Sequence, residues 1–272
     1  MAKRINKDLR DNITEYIRTR LADLQDETVR EKQAALNPSI AKDKIIGVPT
    51  PALKRLAKSI SEQAYLDFDT IMAVRAYLTT LPHQYLDEDM LHMLLLAQIR
   101  DFNKCMWYMD LFLPYVKSRA VVDLPLPTIF KENQWILFPS ARRWSWADQS
   151  LTSYYGIRLL RELYMDRWFY ERELDSVAET VSADEAVIEM AARYMTDALT
   201  KHWDLAIKVL EERRMTEAIH NKTLELARRS KLTKTQKAYV KSLEWEDKKV
   251  PKYDPGVLHV WQYGEWWWTA EA

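Results

Sequence analysis

Four glycines in 272 residues constrain this chain more than any motif does. Tight hairpins, bulged strands and phosphate-cradling loops use positive-φ backbone that glycine adopts at little cost, so a chain nearly devoid of it is poorly supplied for sheets. No stretch alternates apolar and polar residues between turn signals, and neither G-x-G-x-x-G nor a P-loop sequence occurs. What recurs is a helical period. Ile188, Ala191, Ala192, Met195 and Leu199 fall at i, i+3, i+4, i+7 and i+11, one stripe of a 3.6-residue helix, with Asp184 placed to cap its start. Thr50-Pro51 predicts an N-cap followed by a first helical residue, opening a helix over Ala52 to Ile60. Pro82, Pro114, Pro125, Pro127 and Pro139 divide the middle of the chain into short to medium helices. Asp87, Glu88 and Asp89 read as a helix start rather than a catalytic carboxylate pair, because neighbours on a helix point in different directions.

The fold class expected is therefore all-α. Helices joined by short polar turns form antiparallel pairs, and stacked pairs form a superhelix. No repeat of fixed period marks the sequence, so periodicity alone is compatible with both a helical-repeat solenoid and an irregular bundle. The helical pattern covers residues 1–244. From Trp245 the composition changes, with Pro251, Pro255, Gly256 and Gly264 interspersed among Trp261, Tyr263 and Trp266-Trp267-Trp268, and residues 245–272 read as a mostly non-helical extension. Three consecutive tryptophans left in water would expose a large apolar area, so this tail is expected either to dock on its own body or to meet a partner or second copy.

Charge and chemistry narrow the function classes. The 40 basic and 40 acidic residues cancel, so a polyanion surface must come from charge segregation. Such segregation exists between 222 and 241, where Lys222, Arg228, Arg229, Lys231, Lys234, Lys237 and Lys241 face a single acid, Glu225. Arg142-Arg143 beside Trp144 and Trp146 is a second combination of phosphate donors with stacking surface. The histidines at 83, 92, 202, 220 and 259 show no metal-ligand spacing, and no cofactor motif is present, so neither a metal nor a cofactor is expected. Cys105, the single cysteine, lies in a Met-Trp-Tyr neighbourhood and reads as a buried small hydrophobe. It cannot form an internal disulfide. With no apolar leader at Met1 to Arg10 and no apolar run of about 20 residues, the expectation is a cytoplasmic protein without a membrane segment.

Several ordered segments resemble the AlkD-like DNA alkylation repair family, whose fold is built from HEAT-like helical repeats. Ile46-Gly47-Val48-Pro49-Thr50-Pro51 leading into Leu53-Lys54-Arg55 resembles that family's Gly-Val-x-x-Pro segment and the basic helix after it. Asp87-Glu88-Asp89-Met90-Leu91-His92 resembles the next acidic-then-apolar helix, and Ala120-Val121-Val122-Asp123 resembles the Asn-Trp-x-x-x-Asp region. Asp184 to Tyr194 and His220 to Ser230 resemble the C-terminal helices. The resemblance implies a HEAT-like solenoid that receives double-stranded DNA on its concave face. It also implies DNA glycosylase chemistry, in which a carboxylate stabilises oxocarbenium character on the sugar as a cationic alkylpurine departs. Asp123 falls on that catalytic position. The family's tryptophan four residues ahead of it is Arg119 here, and the residue before that is Ser118. A second aromatic position falls on Tyr194, and a basic one falls at Tyr155 or Gly156, one turn from Arg158. The lesion-binding set implied is thus Arg119, Tyr155, Arg158 and Tyr194, with Arg142, Arg143, Lys222, Arg228, Arg229, Lys231 and Lys234 as DNA contacts. The four-residue separation also predicts that Arg119 pairs with Asp123 along one helix face. Such a pair would take up space and charge meant for a lesion. The rival function is a helical-repeat scaffold without catalysis that binds a protein partner.

Overall fold

The computed structural model describes residues 12–166, 169 and 171–245. Among the described residues there is no strand, and fifteen α-helices follow one another. They are α1 (Ile13–Ala22), α2 (Glu27–Leu36), α3 (Thr50–Leu66), α4 (Phe68–Thr79), α5 (Leu86–Leu96), α6 (Phe102–Phe112), α7 (Arg119–Val122) and α8 (Thr128–Glu132). The later ones are α9 (Gln134–Ser145), α10 (Ser150–Leu159), α11 (Glu171–Ala178), α12 (Glu185–Lys201), α13 (Trp203–Glu211), α14 (Glu217–Arg229) and α15 (Lys234–Ser242). The extension predicted beyond 245, with Trp266, Trp267 and Trp268, lies outside the described residues. No helix among those described is long and apolar enough to cross a membrane.

Packing follows the chain. Consecutive helices pair, as in α3 with α4, α5 with α6, α9 with α10, α11 with α12 and α14 with α15. One member of each successive group also packs on the next: α3, α5, α7, α10, α12 and α14 touch in that order. A single apolar core runs through these contacts, from Ile13 and Leu21 at one end to Leu224 and Val240 at the other. Each fully buried leucine or isoleucine contributes roughly 1.5–3 kcal/mol, so the row of helices is held by its shared face rather than by its short connections.

Both glycines among the described residues stand where no other residue fits. Gly47 has φ +89°, and a Cβ there would lie 2.4 Å from the Cβ of Arg30. Gly156 lets α10 cross the end of α9, because a Cβ would lie 2.2 Å from the backbone nitrogen of Ser145. Among the described residues glycine is thus kept for close approaches.

Local expectations divide. Asp184 caps α12, accepting a hydrogen bond from the Ala186 N–H at 2.9 Å. Cys105 is buried, and burial pushes its thiol up to about 12. The helix at Thr50, however, starts at Thr50 itself and runs on to Leu66, and Thr50 makes no side-chain cap. The segment before it is held instead by Asp87, whose carboxylate accepts from the N–H groups of Ile46 and Val48, each at 2.7 Å, and from Gly47 at 3.2 Å. Pro139 lies inside α9 and does not end it, so the helix forgoes the one N–H donor proline lacks. The stripe on α12 is also broader than its period implies: Val187, Met190, Tyr194 and Ala198 are buried as well, because α10, α11, α13 and α14 surround the helix.

Candidate functional site around Asp123

The four-residue helix α7 is too short to hold itself. Ser118 caps its start, accepting from the Ala120 N–H at 3.1 Å. Arg158, from α10, holds its other end: Nη1 donates to the carbonyls of Val122 and of Leu124, the latter at 2.8 Å. Glu162 in turn accepts from Arg158 Nε at 2.7 Å. These carbonyls are the groups a helix end leaves without partners, and a cation there also suits the negative pole. Arg158 is buried in this role. It braces α7 and is not presented as a lesion contact.

Asp123 follows α7 directly. Its Oδ2 accepts from Arg119 Nε at 3.0 Å, the pairing that the four-residue spacing predicts. Its Oδ1 accepts from the Tyr154 hydroxyl at 2.6 Å. Arg119 also donates through Nη1 to Glu189 on α12 at 3.0 Å, and its guanidinium lies 5.3 Å from the centroid of the Tyr154 ring. Arg193 holds the other oxygen of Glu189, with Nη2 at 2.6 Å. Three helices therefore meet in one network of alternating charge, and the side chains of Arg119 and Asp123 remain 41% and 43% exposed. Burial, together with the hydrogen bond to Asp123, pushes the Tyr154 phenol up to about 12, so it stays protonated and donates at neutral pH. Arg193, ahead of Arg119, holds the Glu189 carboxyl below its ordinary value.

The remaining predicted residues are distributed differently. Tyr194 has no exposed surface, so in this placement neither face of its ring can stack on a ligand. Tyr155 is buried with its ring 6.0 Å from that of Trp144. The physical reason is rotational. One residue along a helix turns by about 100°, which sends Tyr154 to Asp123 and Tyr155 into the core. The basic family position cannot be filled at Gly156 either, since no side chain fits there. Arg142 donates to the Ser176 hydroxyl at 2.9 Å and lies over the Trp146 ring at 4.5 Å. Arg143 pairs with Asp110 at 2.6 Å. In the basic stripe, Lys222 pairs with Glu225 at 2.8 Å, Arg229 with the same residue at 3.6 Å, and Arg228 with Glu244 at 2.6 Å. Lys231, Lys234, Lys237 and Lys241 have no acidic partner among the described residues.

Glu189 joins the two regions. It lines a groove of about 310 Å³ between α12 and α14, together with Glu185, Asn221, Lys222 and Glu225. The path from Asp123 through Arg119 and Glu189 thus leads to the helix that precedes the unpaired lysines. Tyr154, Glu189 and Arg193 were not singled out from the sequence. The pair Tyr154 and Arg158, one helical turn apart and both serving the end of α7, is the signal that would have found the first of them. His83 and His92, which look dispersed in the chain, come together with Nε2 2.8 Å from Nδ1, but no group of three or more metal-ligating side chains forms among the described residues. Comparison with known protein families, with curated proteins and with solved structures finds no match to this chain.

Proposed function

We propose that this chain binds double-stranded DNA without cleaving it. The observation that carries the reading is the unequal pairing of its basic residues: Lys231, Lys234, Lys237 and Lys241 lack acidic partners among the described residues, while Lys222, Arg228 and Arg229 on α14 are each paired with Glu225 or Glu244. Lysines without partners on one short turn and the helix after it supply phosphate contacts that need no base sequence. The resemblance to the AlkD-like repair fold supports duplex binding, with helix pairs stacked as a HEAT-like solenoid.

Excision of alkylpurines does not form part of the proposal. Both oxygens of Asp123 are engaged, and Arg119 supplies there the positive charge that a departing cationic base would bring. A carboxylate already compensated in the ground state has little left to offer an oxocarbenium transition state. The test has two parts. Fluorescence anisotropy with a duplex between 50 and 200 mM salt should give a steep log–log slope, about −0.9 per phosphate contact, and changing the four lysines to glutamine should flatten it by roughly three to four units. An affinity indifferent to salt and to those substitutions would reject DNA binding. Single-turnover assays for 7-methylguanine and 3-methyladenine should show no release, and Asp123-dependent release would reinstate the glycosylase.

A second reading, a scaffold for a protein partner, is favoured by exposed apolar side chains at two helix starts. Leu66 and Phe68 flank the α3–α4 junction, and Trp135 and Ile136 open α9. Association that is insensitive to salt, and lost on deleting residues 251–272, would favour it.

A further inference from the structure

A second cavity, of about 210 Å³, lies among α3, α4, α5 and α6 and shares no residue with the Asp123 network. Its walls are aliphatic: Ile71, Val74 and Leu78 come from α4, Leu95 from α5, and Ile99 from the turn after it. Polar side chains interrupt them, Arg75 and Tyr108 among them. Arg75 brings a guanidinium whose Nη1 meets only the Met72 sulfur, at 3.8 Å, and no carboxylate among the described residues pairs with it. Tyr108 is buried for most of its ring, and its hydroxyl, which makes no hydrogen bond among the described residues, is open to the solvent side. Arg75 from α4 and Tyr108 from α6 line the same cavity. At the rim, Arg100 lies over the Tyr65 ring at 5.0 Å, again without an acidic partner among the described residues. The one carboxylate of the lining, Asp101, is taken by Lys104 at 3.1 Å.

A half-buried guanidinium without an anionic partner beside apolar walls offers charged donors to an anion, and a phenol lining the same cavity adds a neutral one. A carboxylate satisfies both at once. Arginine and tyrosine would each donate to it, while an aliphatic body fills the space beyond. The volume is below the roughly 300–1,000 Å³ of sites for drug-sized ligands, so the body must be short. We propose that this cavity binds a small amphipathic carboxylate of medium chain length, with its head on Arg75 and Tyr108 and its chain against Ile71, Val74, Leu78 and Leu95.

Isothermal titration of the full chain at neutral pH with octanoate, octan-1-ol and octylammonium tests this. Octanoate should bind one to one, octan-1-ol about tenfold more weakly for want of the charge-assisted bonds, and octylammonium more weakly still. Val74→Trp, which fills the cavity, should abolish octanoate binding. Arg75→Gln should bring octanoate and octan-1-ol to the same affinity, and this ratio decides the matter if the tryptophan variant does not fold. Equal binding of all three compounds to the wild-type chain would overturn the proposal. So would octanoate binding that survives Val74→Trp in a folded protein, or no saturable binding of octanoate.

Discussion

Asp87 at the start of α5 and Asp123 at the end of α7 each accept hydrogen bonds on both carboxylate oxygens, but from different donors. Those of Asp87 are three backbone N–H groups, of Ile46, Gly47 and Val48, and the side chain is fully buried. Those of Asp123 are two side chains, Arg119 and Tyr154, and nearly half of its own surface meets solvent. Their helix poles also differ. Asp87 occupies a first turn, where the dipole favours a negative charge, whereas Asp123 sits where it opposes one. Backbone donors cannot turn away, so Asp87 fastens the approach to α3 to the start of α5. Of the two side-chain donors to Asp123, Tyr154 is fixed in the core, while Arg119 is exposed and can rotate off. Asp87 therefore belongs to the fold, whereas Asp123 stands half-exposed at the surface.

The largest effect should come from breaking the first member of that contrast. Asp87→Ala leaves three N–H groups without acceptors, those of Gly47 and Val48 buried, and should cost about 3–5 kcal/mol in urea unfolding, against about 1–2 kcal/mol for Asp123→Ala, which strands the Tyr154 hydroxyl. Equal losses at the two positions would remove the distinction.

Asp89 sharpens the comparison within α5 itself. Burial, with the charge of Glu88 second, raises its carboxyl from 3.8 to about 7, and Lys117 offsets this only in part. A carboxyl with a raised folded pKa binds more protons in the native state, so its contribution to stability falls as pH rises from about 4 towards 7. Asn at this position imitates the protonated form. Asp89→Asn should therefore stabilise the protein at pH 8, by about 1–2 kcal/mol once partial exposure is discounted, and make no difference below pH 4. Thermal melts at the two pH values read the difference directly, and a gain that persists in acid would contradict the assignment.

Tyr154 and Tyr194 show which parts of the site could be read from the chain. The all-α class, the cap at Asp184 and the Arg119–Asp123 pair rest on separations of four residues or fewer, where helix geometry alone fixes the neighbour. The Tyr154 hydroxyl reaches Asp123 across 31 positions and Arg119 reaches Glu189 across 70, and those meetings depend on how whole helices rotate against each other. Tyr194 is buried for the same reason, since α12 is enclosed by four helices that its own period does not reveal. Removing the hydroxyls should separate the two tyrosines. Tyr154→Phe loses a hydrogen bond to a charged acceptor and should cost about 1 kcal/mol. Tyr194→Phe removes a buried hydroxyl that has no partner among the described residues, and should leave stability unchanged or improved.

The smallest effect on stability should carry the most information about function. Arg119 is an exposed residue bonded to Asp123 and Glu189, and exposed pairs of this kind contribute roughly 0–1 kcal/mol each. Arg119→Gln should therefore melt within a few degrees of the parent chain, yet it frees one oxygen of Asp123 and removes the cation that stands beside it. If Arg119 is what silences Asp123, the variant should gain slow release of cationic alkylpurines, and the second change Asp123→Asn should abolish it. DNA affinity should meanwhile weaken only slightly, because the unpaired lysines on α15 are untouched. A large loss of affinity with no gain of release would make Arg119 a phosphate contact in its own right, and would move the centre of the proposed DNA surface from α15 to α7.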